Sequence, residues 1–135
     1  MRNRLVVVLA VVGGVFGIVG PLLAHHAANT YDRTKEITMV GTVTKWRLGN
    51  PHPEIYFTAK DPDGTVGEWF AESQSPPYRW FNNGWNKDTI KPGDTITITA
   101  HPSKDPERKR IAIVKIVAPN GQEYPPKGGR IEPLE

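Results

Sequence analysis

Apolar and polar residues alternate over most of the chain beyond residue 36, which is the pattern of β-strands with one buried face. The clearest run is 54–60, where Ile55 and Phe57 occupy one phase and Tyr56 the other. The alternation predicts five strands, at 37–46, 54–60, 66–72, 95–100 and 111–117. The last strand is apolar on both phases, which indicates a central or covered position.

The predicted first strand changes phase along its length. Met39 and Val43 share one phase, whereas Val40 and Trp46 fall on the other. A β-bulge produces such a change, because the extra residue moves every later side chain to the opposite face. We therefore expect a bulge near Gly41 or further along this strand.

Two turns separate predicted strands. The segment Asp61–Gly64 is a turn because Pro62 presets φ and Gly64 accepts a positive φ. It joins the second and third strands in a hairpin. A second turn, Lys91–Asp94, leads into the fourth strand.

A single helical signal lies between the third and fourth strands. Ser75 is a suitable N-cap, Pro76 suits the first helical position and Gly84 suits the exit. We expect a short helix over 76–83 that carries three aromatic residues.

Five strands with one helix between the third and fourth have the order of an OB-fold barrel, in which the helix covers one end. The same elements also fit a small open sandwich. We favour the barrel because closure leaves no unpaired strand edges. The predicted fold is thus all-β, a five-stranded OB-like barrel over 37–119. An N-terminal arm (25–36) precedes it, and a flexible Pro/Gly-rich tail (120–135) follows it.

Residues 1–24 have the composition of a secretory signal. Arg2 and Arg4 precede an uncharged, largely apolar run from Leu5 to Ala24, which stops at His25. We expect cleavage after Ala24 and export to the periplasm. An uncleaved anchor is the alternative, because a run of this length just spans a bilayer core of about 30 Å.

Composition and charge exclude several classes of function. The chain contains no Cys, which excludes disulfides, thiolate metal sites and cysteine nucleophiles. Loss of Arg2 and Arg4 with the leader lowers the net charge from +3 to +1. A surface so close to neutral is a poor nucleic-acid binder, so we expect no nucleic-acid partner.

The histidines are candidate metal ligands. After cleavage, His25 would offer its α-amine and its ring, and His26 would add a second imidazole. His52 lies between two prolines in the loop after the first strand, where the backbone is stiff. Asp32 and Glu54 are oxygen donors near these positions in the sequence. A nitrogen-rich ligand set favours copper(II), so copper is the expected cofactor if a metal binds.

A structural interpretation of the same residues is also open. The His25–His26 pair can simply end the apolar run, and His52 can be a loop residue. His101, at the end of the fourth strand, is expected at the surface.

Aromatic residues suggest a different binding site. Tyr56, Trp69 and Trp80 are predicted around the second and third strands and the helix, the region where OB folds stack ligands on rings. Such a groove would take an oligosaccharide, a peptide or a small planar molecule. The alternative is that these rings fill the core of a small barrel that has no disulfides.

Motifs of known catalytic chemistry are absent from the sequence. It has no Gly-x-Ser-x-Gly, no His-Glu-x-x-His and no phosphate-binding glycine loop. Glu68 and Glu72 would stand roughly 13 Å apart along one strand, too far for a glycosidase pair. We therefore expect a binding protein rather than an enzyme.

Several short motifs follow one another along the chain. They are Ala24-His25-His26, Tyr31-Asp32, Gly41-Thr42-Val43, Asn50-Pro51-His52, Trp69, Gly84-Trp85 with Asp88, Lys91-Pro92-Gly93-Asp94 and Asn120-Gly121. Taken together, these motifs resemble one protein family, the domain of unknown function 6152 family of small exported bacterial proteins. The resemblance covers about residues 24–125. It implies export, a single β-rich domain and no established activity, with the His-His pair and the Asn-Pro-His step as recurrent features.

Overall fold

A computed structural model describes residues 30–61 and 63–129 of the chain. The predicted leader and its cleavage point, His25, His26 and the last residues of the predicted tail lie outside this part. Within it, residues 31–129 belong to one compact unit. No helix in the described part is long and apolar enough to cross a membrane.

Five strands close into a barrel. β1 pairs with β2 and β4, β2 pairs with β3, β4 pairs with β5, and a parallel β3–β5 pairing closes the circle. This confirms the predicted OB-like barrel with one short helix, α1, between β3 and β4. The elements are β1 (Ile37–Arg47), β2 (Glu54–Lys60), β3 (Val66–Ser73), α1 (Pro77–Asn82), β4 (Thr95–Pro102), β5 (Arg110–Val117) and β6 (Glu123–Tyr124).

The predicted bulge in β1 lies between Val43 and Lys45. Before the bulge, Val43 points into the barrel and Val40 is exposed. After it, Trp46 packs against the core although it has the opposite phase. The bulge thus explains how one strand places apolar residues of both phases inside.

β5 contains a second bulge that the sequence analysis did not identify. Its pairing with β4 shifts between Thr99 and Ala100, which leaves Val114 as the extra residue. Ile111 and Ile113 are buried before the shift, and Ile116 is buried after it. The apolar residues on both phases therefore arise largely from a change of register.

Aromatic side chains close one end of the barrel beside α1. Trp80 of α1 stacks on Tyr124 with ring centroids 3.8 Å apart, and Trp85 meets Trp80 edge-on at 5.0 Å. Trp46 completes the cluster at 5.7 Å from Trp80. The Trp80 indole N–H donates to the hydroxyl of Ser73 at 3.0 Å, so the buried polar group is satisfied.

The helix starts one residue later than predicted. Pro76 is the N-cap and Pro77 opens the helix, while Ser75 makes no capping hydrogen bond. Gly84 takes a positive φ of 79° just beyond the helix, as its predicted role at the exit requires.

The start of the tail that was predicted to be flexible forms a short strand. Residues Glu123–Tyr124 form β6, which pairs with the end of β5. Tyr124 is buried because its ring covers Trp80, and the Glu123 carbonyl accepts the Trp85 indole N–H at 3.3 Å. The start of the tail therefore belongs to the fold.

The N-terminal arm lies against the end of β4. Tyr31 forms an isolated antiparallel bridge with Ser103, and the Asp32 amide donates to the Pro102 carbonyl at 2.8 Å. The Tyr31 side chain is buried on the outer surface of the barrel. The arm thus covers part of the outside of β5.

Candidate functional site

A row of four side chains crosses the outer face of the barrel. Lys45 of β1 pairs in register with Tyr56 of β2, Tyr56 with Phe70 of β3, and Phe70 with Arg110 of β5. Directly paired residues point to the same side of a sheet, so the four lie side by side. We call these four residues the outer row; it spans three strand spacings, about 14 Å.

The outer row has aromatic rings at its centre and cations at its ends. The Tyr56 and Phe70 ring centroids are 5.0 Å apart, with the planes tilted by 60°. Lys45 Nζ lies 5.4 Å from the Tyr56 centroid, and Arg110 Cζ lies 4.7 Å from that of Phe70. Both rings are only partly buried, so solvent reaches them.

Ionic side chains form a second row next to the outer row. Arg47 pairs in register with Glu54, and Glu54 with Glu72. Arg47 Nη2 lies 2.7 Å from Glu54 Oε1, and Arg110 Nη2 lies 3.3 Å from Glu72 Oε1. The rings are therefore bordered by hydrogen-bond donors and acceptors that are already paired.

Two loops flank these rows. The β1–β2 loop (48–53) precedes Glu54, and the β4–β5 loop (103–109) ends where Phe70 donates its amide to the Lys109 carbonyl at 2.9 Å. In OB folds, the face of strands 2 and 3 between these two loops is the usual ligand surface. The outer row occupies this location.

The three aromatic residues predicted to bind a ligand do not share one surface. Tyr56 points outward, whereas Trp69 pairs with buried Phe57 and packs against the core. Trp80 is fully buried, with 0% of its surface exposed, under Tyr124. The prediction that the three residues share one ligand-binding face is therefore wrong, because Trp69 and Trp80 fill the barrel.

Phe70 is the aromatic partner that the sequence analysis missed. A hairpin centred on Asp63 places Tyr56 opposite Phe70 and Phe57 opposite Trp69. The predicted strands 54–60 and 66–72 are symmetric about residue 63, so counting residues outward from Asp63 was the available signal.

Asp61 connects Trp69 to the β4–β5 loop. Its Oδ1 accepts the indole N–H of Trp69 at 2.9 Å, and its Oδ2 lies 2.7 Å from Lys109 Nζ. This contact joins the β2–β3 turn to the loop beside the outer row. It gives Trp69 a structural role at this end of the hairpin.

His52 is partly buried in the β1–β2 loop. Its Nδ1 is buried and has no hydrogen-bond partner among the described residues. The following Pro53 is buried, and its carbonyl accepts the Ser73 amide at 2.9 Å. The loop is thus fixed to the end of β3, as the flanking prolines suggested.

The oxygen donors named as possible metal ligands have other partners. Glu54 pairs with Arg47, and Asp32 lies 3.1 Å from Lys35 Nζ. A hydrogen bond from the Thr34 hydroxyl and the adjacent Lys35 lower the pKa of Asp32 to about 2. Residues 30–61 and 63–129 contain no group of three or more His, Asp or Glu arranged to hold a metal ion.

Tyr31 joins the arm to the second row. Its hydroxyl donates to the Glu72 carboxylate and accepts from Arg110 Nε at 3.0 Å. Burial, together with the hydrogen bond to Glu72, raises the pKa of the Tyr31 phenol well above its ordinary value. Tyr31 was named only within the Tyr31-Asp32 motif, and its contacts with Glu72 and Arg110 were not predicted.

These features define a small OB-like β-barrel with a cation-flanked aromatic row on its outer face. The chain belongs to the Family of unknown function (DUF6152), whose model matches residues 14–112.

Among solved structures, the chain is similar to one in the crystal structure of yeast Stn1 and Ten1, with 16% identity and a TM-score of 0.40. The similarity covers 62% of this chain and 42% of that one, so the chain spans less than half the length of the structure it matches. No curated protein matches the chain.

Proposed function

We propose that this protein is a binding module that holds an oligosaccharide on the outer row, across Tyr56 and Phe70. The observation that carries the proposal is the register that aligns these two partly exposed rings on one outer face. Aromatic rings next to hydrogen-bonding groups are the usual composition of a site that orients a ligand with flat apolar faces.

The charges around the rings favour an uncharged ligand over a nucleic acid. Arg47 and Arg110 are paired with Glu54 and Glu72, so little positive charge is left to contact a run of phosphates. Paired ionic groups still present donors and acceptors at their outer edges, and sugar hydroxyls require both. Among the described residues, Lys45 has no carboxylate within ion-pair distance and adds one free donor.

The test is an NMR titration of the isotope-labelled protein with uncharged oligosaccharides, namely cellotetraose and chitotetraose. We expect saturable amide shifts centred on Tyr56 and Phe70. Tyr56→Ala and Phe70→Ala should each weaken binding about 5- to 150-fold, since loss of one stacking ring costs roughly 1–3 kcal/mol. Tyr78→Ala is the matched control, because Tyr78 is 57% exposed on α1 and lies outside the outer row.

The proposal fails if neither sugar produces saturable shifts, or if Tyr56→Ala and Phe70→Ala bind as well as Tyr78→Ala does. Tighter binding of a single-stranded oligonucleotide at the same residues would replace the sugar with a nucleic acid.

A second candidate function is copper binding by His25, His26 and His52 in a periplasmic protein that has lost its leader. The observation that favours it is the buried, unpartnered Nδ1 of His52 in a loop whose Pro53 carbonyl accepts the Ser73 amide. Neutral imidazole nitrogens and a free α-amine are ligands that copper(II) prefers. Protons compete for these nitrogens, so copper affinity should fall as the pH is lowered.

Intact mass of the exported protein shows whether the chain begins at His25. That species is then titrated with copper, and we expect the copper affinity to fall strongly in both His26→Ala and His52→Ala. His101→Ala is the control, since the His101 Nδ1 is already bonded to the Lys35 carbonyl at 2.8 Å. Unchanged affinity in both variants would rule out the copper site and leave the outer row as the remaining candidate.

A further inference from the structure

A cavity of about 90 Å³ lies on the outside of the barrel, where the N-terminal arm crosses β5. Its walls come from the arm and from the ends of β3 and β4, and its floor comes from β5. The lining residues are Tyr31, Arg33, Gln74, His101 and 112–114.

The bulge in β5 explains why a cavity forms here. The parallel pairing of β3 with β5 ends at Ser73 and Ile113, and the next residue of β5, Val114, is the bulged one. A bulge bends its strand and leaves one residue out of the ladder. β3 therefore separates from β5 at Gln74, and the bridge between Tyr31 and Ser103 holds the arm over the gap.

Arg33 gives this cavity a positive wall. Its Nη2 donates to Gln74 Oε1 at 3.3 Å, and no carboxylate of the described residues lies within ion-pair distance of its guanidinium. The neighbouring carboxylates do not neutralise it, because Asp32 is held by Lys35 and Glu72 by Arg110. A guanidinium carries five N–H donors, so most of those on Arg33 remain for a ligand.

His101 forms the opposite wall. A carbonyl oxygen only accepts hydrogen bonds, so the contact of His101 Nδ1 with the Lys35 carbonyl at 2.8 Å requires Nδ1 to carry the proton. This bond fixes the ring and leaves Nε2 as its other polar atom.

We propose that this cavity binds a carboxylate group, held by the Arg33 guanidinium against the apolar floor formed by Ala112 and Val114. A planar carboxylate matches the two parallel donors of a guanidinium, and one end of a small acid fits a space of this volume. The carboxylate is that of a free small acid or the end of a longer chain. This proposal does not rest on the proposed oligosaccharide surface, although Tyr31 lines the cavity and also accepts a hydrogen bond from Arg110 of the outer row.

The test uses the full-length chain in a non-ionic detergent, titrated with sodium acetate at constant ionic strength and followed by amide chemical shifts. We expect saturable shifts at the amides of residues 33, 74 and 112–114. Arg33→Gln should raise the Kd for acetate at least tenfold. The Kd of Arg33→Lys for acetate should lie between those of the wild type and Arg33→Gln, because lysine keeps the positive charge but lacks the two parallel donors of a guanidinium.

Arg108→Gln is the matched control, since Arg108 is an exposed arginine of the β4–β5 loop that pairs with Asp105. Its Kd for acetate should equal that of the wild type. Arg33 is exposed, so unchanged thermal melting of Arg33→Gln shows that the variant folds. Shifts that do not saturate, or the same Kd in Arg33→Gln, would overturn the proposal.

A second set of titrations identifies the source of the carboxylate. A dipeptide with a free C-terminus is compared with the same dipeptide as its C-terminal amide. Tighter binding of the free dipeptide than of acetate supports a chain end, and binding of acetate alone supports a free acid. Equal binding of the amide and the free dipeptide at this cavity contradicts carboxylate recognition.

Discussion

Gly41 shows how a single residue without a side chain shapes the barrel. A Cβ placed on Gly41 would lie 2.7 Å from the Thr58 carbonyl oxygen and would also strike the Phe57 ring. Both atoms belong to β2, which pairs with β1 at this point, so neither can move away without disturbing the sheet. The backbone of β1 therefore approaches β2 closely only because residue 41 is glycine.

We expect Gly41→Ala to lower the free energy of unfolding by about 1–3 kcal/mol, the usual cost of overpacking. Urea denaturation followed by tryptophan fluorescence measures the change. Gly49→Ala is the control, because its Cβ would meet only the Arg47 side chain at 3.5 Å or more. Equal stability of the two variants would show that the sheet relaxes around a methyl group at position 41.

Tyr31 gives a prediction about alkaline pH. Its folded-state pKa is raised above the ordinary tyrosine value of 10.0, by burial first and then by the hydrogen bond to Glu72. A raised folded-state pKa means that the associated stability is fully present below pH 10 and is lost as the pH rises through the folded-state pKa.

We therefore expect the phenolate absorbance of native Tyr31→Phe and wild type to match just above pH 10, because native Tyr31 stays protonated there. In urea, where Tyr31 is exposed, the wild type should show one more ionising tyrosine than the variant. A larger phenolate absorbance in the native wild type than in native Tyr31→Phe at that pH would contradict the burial of Tyr31.

At the scale of elements, the strands could be predicted because their alternation is local. β2 was predicted with the observed bounds, and the other four barrel strands were predicted to within two residues at each end. The bulge in β1 was foreseen because Trp46 visibly breaks the phase. The bulge in β5 was not, since apolar residues on both phases fit a covered strand equally well. Periodicity alone does not separate these two cases.

The candidate site was harder to predict than the fold, because it depends on contacts between distant elements. Tyr56 was identified, yet Trp69 and Trp80 proved to be core residues, and Phe70 became visible only with the hairpin register. The Tyr31–Glu72 contact joins residues 41 positions apart and leaves no local signal. Arg33 likewise acquires its neighbours only when the arm folds over β5.

β6 illustrates how a two-residue element can matter to the whole core. Tyr124 is only 3% exposed and stacks on Trp80. We expect Tyr124→Ala to destabilise the protein by about 3–5 kcal/mol, as removal of a buried aromatic ring usually does. Tyr78→Ala, which removes an exposed tyrosine, should change stability by about 0.5 kcal/mol or less. Urea denaturation of both variants gives the comparison, and a small loss of stability for Tyr124→Ala would contradict a role of β6 in the core.

At the scale of the whole molecule, the β3–β5 seam makes the protein a closed barrel. The pairing runs from Phe70 and Arg110 to Ser73 and Ile113. Closure removes the two strand edges that an open five-stranded sheet would expose. It also brings Arg110 beside Phe70, so the outer row exists only while the seam is intact. Stability and the proposed binding surface thus depend on the same contact.

This dependence predicts how the molecule opens. Separation of β3 from β5 would leave one edge of each strand unpaired and expose core residues such as Ala71 and Ile111, so we expect the seam to open only by global unfolding. In native-state hydrogen exchange with increasing urea, seam amides should show the same free energy and denaturant slope as those of β1. Amides of β6 should exchange through local opening, with little dependence on urea, because this strand has only two residues. A shallow slope at the seam would mean that the barrel opens locally, and binding to the outer row would then compete with that opening.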